Sequence, residues 1–224
     1  MTPTQFVEEL KNLEFENTFN PYSDQCDAHD FDSAADCRSQ LLQEMLEVAI
    51  EQPVNSIWIG RDLGYRGGRR TGLAFTDDVH IQVHAKRWQL SSSINRFTKG
   101  KAVTERTATV IWDMLSLIQE SVFLWNVFPL HPHETDNPFS NRSHNAGERR
   151  VGEELLSELI TMLEPQRLIA VGNNATRTVY HLCGEHEVIP VRHPSYGGQS
   201  TFLEQISKLY QLPEIFKSPY TRRQ

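Results

Sequence analysis

The sequence predicts an α/β protein built on a mostly parallel sheet with helices on both faces. Two observations carry this: four short apolar runs alternate with stretches of helical periodicity, and no internal repeat or low-complexity segment interrupts them. A third fits the same class. At 224 residues and 38% hydrophobic content, the chain can bury a core without a disulfide or metal staple.

The elements follow in order. Ser39–Ile50 has apolar residues at helical spacing. Val54–Gly60 is a short apolar run bounded by Pro53 and Gly60, which predicts a buried strand. Val103–Gln119 is periodic as a helix, and Ser121–Phe128 is a second buried strand. Gly147–Leu163 is a helix with Glu148 in its first turn, stopping near Pro165. Arg167–Gly172 is a third strand, Ala175–Cys183 a helix, and Glu187–Arg192 a fourth strand whose Pro190 predicts an edge position. Gln199–Tyr210 is the last helix, and 211–224 reads as a loose tail. Strand–helix alternation implies right-handed βαβ crossovers, with a ligand site outside the carboxyl ends of the strands.

Composition excludes several classes. The apolar runs are far shorter than a membrane span, and the acidic start MTPTQFVEEL lacks the order of a secretory signal. Three cysteines, Cys26, Cys37 and Cys183, cannot pair fully and show no CxxC spacing, so a cytoplasmic location is expected. The net charge of −7 conceals an asymmetry. Residues 1–59 carry a net −10, residues 60–112 a net +6, and the rest −3. The basic middle segment reads either as a phosphate-binding footprint or as a solvated face paired with the acidic N-terminal segment.

Three strands end in polar chemistry: Gly60-Arg61-Asp62, Asn126 within LWNVFPLHPH, and His193-Pro194-Ser195-Tyr196. A carboxylate, a carboxamide and an imidazole would converge on one rim of the sheet. The loop GYRGGRRTG is neither a Walker loop nor a GxGxxG turn. His131, His133, Glu134, Asp136 and His144 match no metal-ligand spacing, and neither does the acidic segment around Cys26 and Cys37, so no metal is expected.

GRDLGYRGGRRTGLAFT resembles, ungapped, the water-activating motif GQDPYHGPGQAHGLCFS of the uracil-DNA glycosylase superfamily. The strand ending in Asn and the later His-Pro-Ser resemble the other two superfamily motifs in the same chain order, and the likeness spans about residues 54–205. It implies a three-layer α/β/α sandwich around a four-stranded parallel sheet. The expected organisation is an acidic N-terminal segment at 1–50, a catalytic domain at 51–212 and a flexible tail at 213–224.

The resemblance implies a monofunctional DNA glycosylase that leaves an abasic site. Asp62 falls on the carboxylate that positions water, and His193 on the group that donates to the departing base. Asn126 falls on the residue reading the extruded base, and Phe75 stacks on it. Arg61, Gly67, Gly68, Arg69, Arg70, Arg192 and Ser195 are candidate DNA contacts. Gly64 stands where the motif tyrosine blocks groups at the pyrimidine C5 position. That implies an open gate, unless Tyr65 swings in. Gly197 lies where a duplex-wedging leucine would be, leaving Tyr196 as the large side chain nearby. The expected partner is DNA carrying an aberrant or modified pyrimidine, bound by a monomer with no cofactor and no membrane contact. Bulky modified cytosines of phage DNA, attacked in antiviral defence, are the rival substrate. A non-catalytic sensor of unusual bases and a nucleoside hydrolase are the readings from other classes.

Overall fold

A computed structural model describes residues 1–90, 95–182 and 184–213. The element order is α1 (Pro3–Lys11), β1 (Thr18–Phe19), α2 (Ala34–Ile50), β2 (Ser56–Asp62), α3 (Gly68–Thr71), α4 (Ile81–Arg87), α5 (Arg106–Leu115), β3 (Val122–Phe128), β4 (His131–Pro132), α6 (Ala146–Leu163), β5 (Arg167–Val171), α7 (Asn173–Leu182), β6 (Glu187–Val191) and α8 (Gln199–Leu209). The main sheet runs β3-β2-β5-β6 with every pairing parallel, and β1 pairs antiparallel with β4. This is the expected α/β sandwich with a four-stranded parallel sheet. Pro190 lies in β6, the edge strand, where its missing N–H costs no ladder bond.

Strand pleating splits the core into two layers. Ile57, Ile59, Phe123, Trp125, Val127, Leu168 and Ala170 face a layer closed by α1, α2, α4, α6 and α7. Trp58, Leu124, Ile169, Val171 and Val191 face the other layer, closed by α5 and α8 through Ile111, Leu115, Phe202 and Ile206. Trp58 is fully buried and donates its indole N–H to Tyr210 Oη at 2.9 Å, so the large ring is packed with its polar atom satisfied.

The first 50 residues are integral to this packing. Phe6, Val7 and Leu10 of α1 and Leu41, Leu42, Met45 and Leu46 of α2 belong to the first core layer. Thr2 and Gln5 form a capping box that starts α1 with Pro3 in its first turn. The fully buried Arg38 donates to Pro21 O at 2.6 Å and to Asp30 at 2.8 Å. Tyr22 Oη donates to Gly72 O at 2.7 Å. These bonds hold the N-terminal segment against the loop that follows β2.

Several boundaries differ from expectation. β2 extends through Asp62, so Arg61 and Asp62 are strand residues. α5 is shorter than the periodicity predicts, because Glu105 acts as its N-cap and Ser116 ends it. The short helices α3 and α4 fall in the segment after β2, where local turns and buried ion pairs replace a clear apolar period. The end of the Ala175–Cys183 helix, at Cys183, and most of the tail, at 214–224, lie outside the described residues. No helix among the described residues is long and apolar enough to cross a membrane.

Candidate active site

The carboxyl ends of β2, β5 and β6, with the face of β3, open into a cavity of about 490 Å³, large enough for a base and its sugar. Asp62, Phe75, Glu105, Asn126, His193 and Ser195 all line it. Arg61, Gly64, Gly68, Asn141, Arg142, Arg192 and Tyr196 complete much of its wall.

Asn126 reaches the cavity through pleating. It follows Leu124 on the sheet face toward α5 and α8, and its register partner is Gly60. A β-carbon on Gly60 would collide with Asn126 Oδ1 and with the Phe75 ring, so glycine is needed for their close approach. Asn126 is 3% exposed, yet its amide has no hydrogen-bond partner among the described residues. A buried amide facing a cavity with one donor side and one acceptor side free can pair with a ligand edge that offers the complementary groups.

Phe75 is held in the left-handed region at φ 52°, which costs a non-glycine residue on the order of 1 kcal/mol. The strain is held by its surroundings: Trp112 Nε1 donates to Phe75 O at 3.1 Å, and Thr71 Oγ1 donates to Thr76 O at 2.8 Å. The turn before it passes through Gly72, also left-handed at φ 72°.

The Asp62 side chain is 4% exposed and is gripped from two sides. Arg61 Nε donates to Oδ2 at 2.5 Å, and His144 Nδ1 contacts Oδ1. His144 immediately precedes α6, whose N-cap Asn145 forms a capping box with Glu148. Glu148 is in turn bound by Arg142 at 2.6 and 2.7 Å. The same Arg142 donates to Asn17 O at 3.1 Å and so ties α6 to the N-terminal segment. The grip on Asp62 therefore depends on chain segments more than 80 residues away.

His193 receives the Ser195 backbone N–H on Nδ1 at 3.2 Å, which leaves the ring proton on Nε2. Burial pushes its pKa down to about 4, helped by Arg61 and Arg192. The imidazole is neutral at neutral pH. Ser195 Oγ also bonds Thr107 Oγ1 at 3.0 Å, joining this loop to α5.

Glu105 was not among the residues singled out from sequence. Its backbone N–H donates to the buried Asp77 at 2.7 Å, and its side chain crosses the Gly64–Gly67 turn. Burial drives its pKa up to about 7, with Asp77 adding to the shift and Arg66 opposing it. An acidic residue at a helix start reads in sequence as an N-cap, so nothing local flags it. His144 was weighed only as a metal ligand, and its contact with Asp62 has no local signal, since the two lie 82 residues apart.

The structure places several of the expected site residues differently. Arg69 and Arg70, assigned to DNA, are each 6% exposed and built into the fold. Arg69 stacks 3.7 Å from the Phe19 ring centroid and bonds His131, while Arg70 pairs with the buried Asp78 at 2.8 Å. The Gly64 side of the cavity is not an open gate, because the Glu105 carboxyl stands there: a β-carbon on Gly64 would lie 3.3 Å from Oε1. Tyr65 does not fill that space either, since its hydroxyl accepts from Arg66 Nε at 2.8 Å outside the cavity lining. Gly67 N–H donates to Gly64 O and is unavailable to a phosphate, whereas Gly68 does reach the cavity wall. Tyr196 stands on the rim at 98% exposure, with φ 52°.

Fold and site together define an α/β/α sandwich whose strand ends present a carboxylate, an unpaired carboxamide and a neutral imidazole to one cavity. The chain belongs to the uracil DNA glycosylase superfamily, whose family model matches residues 50–211. It is similar in structure to SMUG2 from Pedobacter heparinus, with a TM-score of 0.62 and 14% identity over 94% of this chain and 96% of that one. A mutant UNG from Nitratifractor salsuginis aligns at a TM-score of 0.43 and 15% identity over 93% of this chain and 96% of that one. No curated protein sequence matches the chain.

Proposed function

We propose that the protein is a monofunctional DNA glycosylase that hydrolyses the N-glycosidic bond of an extruded pyrimidine and leaves an abasic site. The observation that carries this is the unpaired Asn126 amide facing the same cavity as Asp62 and the neutral His193.

The base stacks on Phe75 while the Asn126 amide pairs with its N3 and C4 groups. The bond between N1 and C1′ breaks with its electron pair passing to the base, and negative charge gathers on O2. His193, neutral and protonated on Nε2, donates to that oxygen. The sugar gains oxocarbenium character, which the Asp62 carboxylate stabilises while it orients the attacking water. The water oxygen bonds to C1′, and the proton it loses passes through solvent to the base anion, which leaves as the neutral pyrimidine. His144 and Arg61 hold Asp62 in place for this step. Among the described residues no lysine lines the cavity, which supports hydrolysis without a Schiff-base intermediate. DNA phosphates contact Arg61, Arg192, Gly68 and Ser195, and Tyr196 enters the space that the extruded base vacates.

Asp62→Asn tests this reading. Base release from an oligonucleotide carrying one uracil or C5-modified pyrimidine should fall at least a hundredfold while DNA affinity is retained. Borohydride added during turnover should trap no protein–DNA adduct. A wild-type protein that binds such DNA but never releases base is a sensor, and the proposal fails.

A further inference from the structure

We infer that Glu105 is the specificity-determining residue for the C5 side of the base, hydrogen-bonding a hydroxyl-bearing C5 substituent such as hydroxymethyl in preference to a methyl group; this rests on the glycosylase reading above.

The assignment comes from the walls of the cavity. On that reading the sugar side of a pyrimidine faces Asp62, O2 faces His193, and the N3 and C4 groups face Asn126. The remaining edge, C5 and C6, faces the turn from Gly64 to Gly68, and Glu105 lies across that turn. Neither glycine there has a side chain to compete for the space. A β-carbon on Gly67 would strike Glu105 Oε2, so the turn is shaped around the carboxyl.

The backbone that carries the carboxyl is fixed, and the carboxyl itself is left unsatisfied. Asp77 fixes the Glu105 backbone, and Asp78 fixes Val103 N–H at 3.0 Å just before it. Asp77 and Asp78 are themselves buried and multiply bonded. The helix that follows Glu105 also anchors Phe75 through Trp112, so one helix supports both the base platform and the carboxyl. Yet neither side-chain oxygen of Glu105 has a hydrogen-bond partner among the described residues. Arg66, the cation nearest in the chain's own loop, is exposed and occupied with Tyr65.

A half-buried carboxyl with free capacity favours a ligand that can donate or accept there. A hydroxymethyl group does both, so it is served whether Glu105 is protonated or ionised. A methyl group does neither and would strip water from the carboxyl without replacing it. Discrimination by a buried polar group left unpaired is larger than discrimination by fit alone.

The test measures kcat/KM for base release from otherwise identical oligonucleotides carrying 5-hydroxymethyluracil, thymine or uracil. It compares wild type with Glu105→Met, which keeps the length and removes hydrogen bonding, and with Glu105→Gln, which keeps both. The wild type should favour 5-hydroxymethyluracil over thymine, Glu105→Met should lower that ratio about tenfold or more, and Glu105→Gln should retain most of it. A ratio unchanged in Glu105→Met overturns the assignment while leaving the glycosylase reading intact. A parallel loss on all three bases also overturns it, as a structural role. If wild type releases none of the three bases, the glycosylase reading falls first and this one with it.

Discussion

Glu105→Gln should stabilise the protein, and only above the pH at which a free glutamate ionises. Burial and Asp77 raise the Glu105 pKa from 4.5 to about 7. A carboxyl raised in this way favours the folded state while protonated, so its contribution is complete below about 4.5 and is lost as pH rises through about 7. A rise from 4.5 to about 7 corresponds to roughly 3.4 kcal/mol of preference for the protonated form. Two effects reduce that figure. The side chain is only half-buried, and the positive end of α5 favours a charge at its N-cap by up to about 1 kcal/mol. A net gain of about 2 kcal/mol is expected above pH 7.5, or about 4–8 °C in Tm for a chain of this size. The assay is thermal unfolding of both proteins from pH 4.5 to 8.5. His193 is present in both proteins, so its titration cancels in the difference. The Tm difference should be near zero at pH 4.5 and grow to its plateau above pH 7.5. A constant offset across this range, or a variant less stable at pH 8, would refute the reasoning.

Other consequences concern the site and its supports. Gly60→Ala should displace Asn126 and Phe75, lowering base release at least tenfold and costing about 1–3 kcal/mol in urea denaturation. A neutral His193 held near 4 predicts that its contribution to kcat/KM persists from pH 8 down to about 5 and fails only toward pH 4. A pH profile of wild type against His193→Ala isolates that contribution, and an inflection near 6.5 would show the imidazole unshifted. Glu148→Ala leaves Arg142 without its carboxylate and should destabilise the fold by about 3 kcal/mol. It should also lower base release by loosening His144 against Asp62, which rate measurements well below the variant's Tm would reveal.

Much of the fold is local in origin and legible in the chain. Short apolar runs such as the one ending in Gly60-Arg61-Asp62 become parallel strands because they are apolar on both faces, and the helical stretches cover them. Since Asp62, Asn126 and His193 sit in or just after strands, the topology alone brings them to one end of the sheet. The capping box Asn145–Glu148 was also present to be read, as was the Thr2–Gln5 box of α1.

What the sequence by itself determined is the alternation of elements, the edge position of Pro190, and the strand ends that carry polar groups, because each depends on neighbours a few residues apart. Only the tertiary structure decided which charges face the cavity and which are built into the fold. Arg69 and Arg70 look identical to surface arginines in the chain, but Phe19, on a strand of the N-terminal segment, and Asp78, in the loop after α3, bury them. Glu105 lies 41 residues beyond Gly64, and His144 lies 82 beyond Asp62, so no local pattern could report either pairing. Burial then sets the chemistry that composition cannot. It holds His193 neutral and Glu105 near 7, because a low-dielectric wall penalises charge according to what surrounds a group in space.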